Sequence, residues 1–138
     1  MQYTVVSLLS LLTASAFAAP STYPPPAPRD TPVTFATVAL SNDQSGAYGT
    51  AQIPINGVTI LINSAFANTG VAQGGSYTAS SASLVGGLAN NPLCTILNTA
   101  GGSAIGQLNN QKTYLKFGNP NMLETTTLSS GAIVCVTA

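Results

Sequence analysis

The sequence predicts an all-β fold: a single-domain β-sandwich or barrel-like relative of one, with one disulfide, preceded by a signal peptide and a proline-rich leader. Three observations carry this prediction. From Val33 onward the chain is rich in Thr, Val, Ile, Gly, Asn and Ser and poor in Glu, Lys and Arg, a composition that favours short strands and tight turns over helices. Turn signals recur at short intervals along the same stretch. Finally, the chain has two cysteines, and an even count in a secreted protein implies a bridge.

The order of segments begins with Val5 to Leu12 (VVSLLSLL), a short apolar run followed by small residues and Ala16-Phe17-Ala18. This is the h-region and A-x-A pattern of a secretory signal peptide over residues 1–18. Cleavage is expected between Ala18 and Ala19, because cleavage after Ala19 would place Pro20 beside the scissile bond. The n-region, Met1-Gln2-Tyr3-Thr4, lacks the usual Lys or Arg. A membrane anchor is the competing reading, but the run is shorter than the roughly 20 apolar residues a bilayer span requires. Residues 19–32 (APSTYPPPAPRDTP) carry Pro20, Pro24, Pro25, Pro26, Pro28 and Pro32. Proline fixes φ and cannot donate to a ladder, so an extended, polyproline-like leader is expected. It is either a flexible tail or a pro-segment processed at Arg29-Asp30.

Residues 33–138 have room for one domain with a single modest core. The expected strands are Val33–Leu40, Tyr48–Asn56, Val58–Asn63, Ser76–Val85, Leu93–Thr99, Ser103–Asn109, Thr113–Gly118, Leu123–Ser129 and Ala132–Thr137. Between them lie Asn56-Gly57, Gly74-Gly75, Asn90-Asn91-Pro92, Gly101-Gly102 and Gly118-Asn119-Pro120. Asn-Gly between apolar runs is the strongest short-range hairpin signal. Alternation puts Leu115 and Phe117 inward and Tyr114 and Lys116 outward. In the first strand, Val33 and Phe35 share one face while Val38 and Leu40 share the other, which a bulge near Ala36-Thr37 would reconcile. Ala65–Gln73 is too short and Gly-broken to predict a helix.

Cys94 shares a strand face with Ile96, and Cys135 with Ile133, so both sulfurs are expected to point into the core. A bridge over this separation is worth about 4 kcal/mol in the chain-entropy model. Two buried thiols are the alternative. No other role fits, since there is no C-x-x-C and no His.

Composition removes most chemistry. Lys plus Arg number 3 and Asp plus Glu number 3, with no His and no Trp. A nucleophile activated by histidine is therefore impossible. Zinc lacks ligands, and near-zero net charge argues against nucleic acid. The glycine pairs Gly74-Gly75, Gly86-Gly87 and Gly101-Gly102 lack the context and the Lys of a phosphate loop. Glycoside hydrolysis needs two carboxylates, and only Asp43 and Glu124 are available beyond the leader. Nothing around them reads as a sugar subsite, so no enzyme is expected. Tyr48, Tyr77 and Tyr114 are the residues that would stack on a sugar if exposed. The loop Ser41-Asn42-Asp43-Gln44-Ser45-Gly46 resembles the calcium loop of βγ-crystallin domains, with Gly46 where that loop carries Ser. One carboxylate makes a poor Ca²⁺ site, and an Asx turn explains the same residues. No cofactor, metal or catalytic residue is expected.

The layout as a whole, with signal peptide, Ala-Pro-rich leader, VALSNDQSGAYGTAQIPINGV and a two-cysteine β-rich remainder, resembles the small secreted proteins of filamentous fungi. That resemblance implies a fungal source, an extracellular site and no catalytic residues to transfer. The chain lacks the eight-cysteine pattern of hydrophobins and the four of cerato-platanins. Three functions remain open at this point. One is a secreted, monomeric, effector-like protein binding an extracellular partner, either a host protein or a wall polysaccharide. The second is a structural wall or spore-surface protein, and the third a carbohydrate-binding or carbohydrate-active protein. Membrane and nucleic-acid partners are not expected.

Overall fold

The computed structural model describes residues 32–138. The expected signal segment, the Ala18–Ala19 cleavage point and the leader up to residue 31 lie outside the described residues. In chain order the elements are β1 (Phe35–Asn42), β2 (Ala47–Pro54), β3 (Thr59–Leu61), one helical turn α1 (Ile62–Ala65), β4 (Ala72–Gln73), β5 (Ser76–Ala79) and β6 (Ser81–Gly86). A 3₁₀ turn at Leu88–Asn90 follows, then β7 (Pro92–Leu97), β8 (Ala104–Leu108), β9 (Tyr114–Lys116), β10 (Thr126–Thr127) and β11 (Ala132–Thr137).

These strands form two four-stranded antiparallel sheets, β2-β1-β6-β9 and β3-β11-β7-β8, with a small β10-β5-β4 sheet beside them. The all-β fold with one Cys94–Cys135 disulfide is therefore as the sequence predicts. The two large sheets touch at both flanks. On one, the chain leaving β2 bonds back to Thr34 through the Ile55 N–H (2.8 Å) and also lies parallel against Cys135 of β11. On the other, β8 and β9 join through a turn in which Asn109 and Lys112 exchange both backbone hydrogen bonds. The sandwich is in this sense nearly a closed barrel, which leaves few strand edges unpaired.

The core follows from alternation. In β1, Ala36, Val38 and Leu40 point inward, meeting Ile53 of β2 and Ala82 and Leu84 of β6. From the opposite sheet come Cys94, Ile96, Leu108, Ile133 and Cys135. Leu115 and Phe117 are buried beside them and Tyr114 is exposed, as alternation requires. Cys94 and Cys135 are direct register partners on neighbouring strands, with Cα atoms 4.1 Å apart. The Cys135 carbonyl accepts from the Gly57 N–H (2.9 Å), on the side away from Cys94. The two cysteines thus occupy a non-hydrogen-bonded pair, the closer of the two antiparallel pair types. The staple joins two adjacent strands of one sheet, with both sulfurs in the core.

The Gly74-Gly75 turn is a two-residue hairpin between β4 and β5. Both glycines have positive φ, 61° and 77°, as a type I′ turn demands.

Several boundaries differ from the sequence reading, each for a local reason. Val33 and Phe35 are exposed, so β1 needs no bulge to bury them. It pairs with β2 without a break, and the irregularity lies opposite, where Val85 of β6 is the extra residue between Leu84 and Gly86. Asn56-Gly57 does turn the chain, with the Asn56 side chain accepting the Val58 N–H at 3.0 Å. It does not make a hairpin, because β2 and β3 belong to different sheets. The expected strand over Val58–Asn63 ends at Leu61, where one helical turn allows Ile62 and Phe66, spaced i and i+4, to bury together. The expected Ser76–Val85 strand breaks in two at Ser80, which moves the chain from the small sheet to the first large one.

Candidate binding surface

Ser80 explains both that break and the loop singled out in the sequence. It is fully buried. Its N–H donates to the Ser41 carbonyl (2.8 Å), and its own carbonyl accepts from Phe117 (2.8 Å). Its hydroxyl donates to the Asp43 carboxylate (2.7 Å) and accepts the Asp43 N–H (3.0 Å). The Asn42 side-chain oxygen accepts from Gln44 (3.1 Å) and Ser45 (3.2 Å), while its amide nitrogen reaches Thr78 Oγ1 at 3.1 Å. Residues 42–46 are an Asx turn closed by Gly46 N–H donating to Asn42 O at 2.8 Å. The loop's oxygens hold its own backbone and the β5–β6 kink.

Gln44 donates from its side chain to the Leu123 carbonyl. The loops carrying Asp43 and Glu124 are therefore neighbours, a proximity the sequence did not reveal. Glu124 accepts the Asn119 N–H at 2.9 Å, which folds the Gly118–Glu124 loop on itself. Each carboxylate thus anchors local backbone. Among the described residues, no three His, Cys, Asp or Glu side chains converge as metal ligands. No helix there is long and apolar enough to cross a membrane.

The three tyrosines separate by environment. Tyr77 is half-buried and its hydroxyl donates to the Asn63 carbonyl at 3.0 Å. Tyr48 and Tyr114 are 54% and 51% exposed. Cross-strand partners point to the same side of a sheet, so the register defines what stands around these two. One outward row runs Tyr48, Ser41, Ser81, Lys116, and the next Thr50, Ala39, Ser83, Tyr114. The two inner strands contribute only small side chains, and the tyrosines stand on opposite outer strands. Ala39 and Ser81 are only 1% and 3% exposed although their register places them on the outward side, so the middle of this face is covered and its open positions lie on the outer strands, at Tyr48, Thr50 and Tyr114. Phe35 and Val85 stand exposed toward its far end.

Near the β8–β9 turn a polar cleft of about 310 Å³ is lined by Asn91, Asn109, Asn110, Gln111 and Ala138. Asn91 is held with φ at 48°, and Asn110 donates to the Leu88 carbonyl at 2.9 Å. Asn109 spends its side-chain oxygen on the Gln111 and Lys112 N–H groups. In the sequence this place showed only as the Asn90-Asn91-Pro92 turn signal and the end of the expected strand at Asn109.

The outer face of the second sheet has a different chemistry. Its rows are Leu61, Ala132, Leu97, Ala104, then Thr59, Val134, Thr95, Gln107, and beyond them Val136 beside Leu93. Leu61 and Val136 are exposed there. Compared with known proteins, the chain matches no family model, no curated protein and no solved structure.

Proposed function

We propose that this is a secreted, non-enzymatic binding protein that acts through the outer face of its first sheet. The observation that carries this reading is the exposure of Tyr48 and Tyr114 on the two outer strands of one sheet face. Exposed aromatics are costly to leave on a soluble surface and supply large, rigid contact area when a partner covers them. The signal-peptide pattern supports export, and the disulfide fits an oxidising compartment. The resemblance to small secreted fungal proteins supports an effector-like role toward a host or a competing microbe.

A second reading is a structural component of the fungal wall or spore surface. The apolar outer face of the second sheet favours it, since Leu61, Leu97, Val134 and Val136 would pack against neighbours in an assembly.

The test is fractionation and capture with the secreted chain. N-terminal sequencing of that material should begin at Ala19 or further along; Met1 or Gln2 would sink the export proposal. The protein is then mixed with fungal wall, plant wall and host membrane extracts, alongside Tyr48→Ala/Tyr114→Ala and Leu61→Ser/Val136→Thr variants. Binding lost only in the tyrosine variant supports the first reading. Retention in the SDS-resistant wall fraction, lost only in the second-sheet variant, replaces it with the structural one.

A further inference from the structure

We infer that Asn56 is a self-modification site: it deamidates through the Gly57 nitrogen, and the native fold holds the reaction off by tying that nitrogen to Cys135. This is independent of the binding reading and rests on three observations.

The first is the residue pair. Asn56 is the one Asn in the chain that is followed by Gly. In deamidation the next residue's backbone nitrogen loses its proton to solvent base and attacks the Asn Cγ. The new N–Cγ bond closes a five-membered imide, and the Cγ–Nδ2 bond breaks to release ammonia. Water then opens the imide at either carbonyl, leaving Asp or isoaspartate. The net change is one water taken up and one ammonia lost. Glycine favours the attack because no Cβ crowds its nitrogen.

The second is the carbon under attack. Asn56 is exposed, so departing ammonia and incoming water have free passage. Its side-chain oxygen already accepts the Val58 N–H at 3.0 Å. Negative charge that builds on this oxygen during the attack meets a donor in place.

The third is the attacking nitrogen. The Gly57 N–H donates to the Cys135 carbonyl at 2.9 Å. A hydrogen bond made by the neutral form of a group disfavours its ionisation, and turning this nitrogen toward Cγ breaks the bond. Neighbouring contacts hold it in place. Ile55 is buried, bridges Cys135 in parallel and donates its N–H to Thr34 at 2.8 Å. Cys135 is itself bound to Cys94. The site is therefore ready at its carbon and latched at its nitrogen.

Reaction then passes through molecules in which residues 55–57 have come away from β11, and its rate follows the population of that opening. Here the chain crosses from the first large sheet to the second, so the modification records separation of the sheets along this flank. Isoaspartate lengthens the backbone between Ile55 and Gly57 by one atom, and their two contacts with Cys135 no longer fit together. A molecule that has reacted this way stays open. Either product also adds a negative charge to a chain with no formal net charge.

The experiment incubates the full secreted chain at neutral pH in three states: native, in urea below the unfolding transition, and reduced and unfolded. Peptide mass spectrometry reads conversion at each Asn, isoaspartyl methyltransferase labelling reads the isoaspartate share, and amide exchange reads opening at Gly57. In the unfolded chain Asn56 should react before any other Asn. In the native protein it should react at least about tenfold more slowly, because the opening is rarely populated. Rising urea should speed Asn56 conversion and Gly57 exchange in step. Ile55→Ala, checked for folding by circular dichroism, should speed both; the urea series on wild type decides the matter if that variant does not fold. Asn56→Ser keeps an acceptor for the Val58 N–H and cannot form the imide, so it should lose the first acidic species on isoelectric focusing.

Native protein that deamidates as fast as the unfolded chain overturns the inference, since the bond to Cys135 is then no latch. So does another Asn reacting first, or an acidic species that persists in Asn56→Ser. Gly57 exchange that rises with urea while conversion stays flat overturns it as well, because opening of this bond would not control the reaction.

Discussion

Along the first sheet an outward row reads Tyr48, Ser41, Ser81, Lys116; along the second, the row beside the exposed edge strand reads Leu61, Ala132, Leu97, Ala104. Inside, the two sheets are alike, with Val38, Leu40 and Ile53 facing Ile96, Leu108 and Ile133. They differ again in what fixes them. The second sheet has a covalent bond between its two central strands. The first has none and relies on the buried Ser80, whose backbone and hydroxyl tie β1, the Asp43 loop and Phe117 together. A small domain has little margin from its core alone. This one adds a covalent staple on one side and a polar hub on the other.

The largest test of this contrast is removal of the staple. Losing the Cys94–Cys135 bridge should cost roughly 2–5 kcal/mol, the usual range for small secreted domains. That is a large share of the 5–15 kcal/mol a domain commonly has. Both cysteines are fully buried, so Cys94→Ser or Cys135→Ser should do worse than the double Cys→Ala variant, because each places a hydroxyl in apolar surroundings. Chemical denaturation followed by circular dichroism measures all three. A double variant as stable as wild type would mean that the hydrophobic core, rather than the bond, holds the second sheet.

Ser80→Ala should follow, at about 1 kcal/mol, the net worth of an ordinary hydrogen bond, because its partner Asp43 is exposed and water can replace the lost bonds. It removes the group that both accepts the Asp43 N–H and donates to the Asp43 carboxylate. The loss should appear first as faster amide exchange in residues 41–46 and 78–81, with the second sheet unchanged. Equal loosening of both sheets would show that the hub and the staple are not separate devices.

The legibility of the sequence follows the same division. Alternation alone placed Leu115, Phe117, Cys94 and Cys135 inward, and it placed Ala132–Thr137 to the residue. Those are local, period-two facts. What alternation cannot supply is which strands become neighbours. Tyr114 read as outward-facing and Tyr48 only as a residue that would stack if exposed, but they lie 66 positions apart by their numbers, and only the register through Ser41–Ser81 and Ala39–Ser83 puts them on one face. Long-range polar contacts were equally hidden. Ser80 looked like one more strand residue because nothing near it in sequence announces hydrogen bonds to Ser41, Asp43 and Phe117. The one-turn helix at Ile62–Ala65 was missed because an i, i+4 apolar pair and an alternating strand share the same first residues.

The smallest expected effect concerns the Asn42–Gly46 loop, which closes the β1–β2 hairpin on the unstapled side. Added Ca²⁺ at low-millimolar concentration should raise the melting temperature by no more than about a degree or two. Ligand stabilises a fold only in so far as its concentration exceeds the dissociation constant. Tight calcium sites gather six to eight oxygens, several of them charged. Here Asp43 brings the loop's one carboxylate, and that carboxylate already accepts from Ser80 at 2.7 Å. The Asn42 side-chain oxygen is committed to the Gln44 and Ser45 N–H groups. A cation would have to break these bonds and loosen the Ser80 hub before gaining its own ligands. Asp43→Ala should therefore lower stability with and without calcium by the same amount, because what it removes is an anchor for Ser80. A shift of many degrees in wild type, abolished by Asp43→Ala, would make the loop a metal site and give the first sheet a staple of its own.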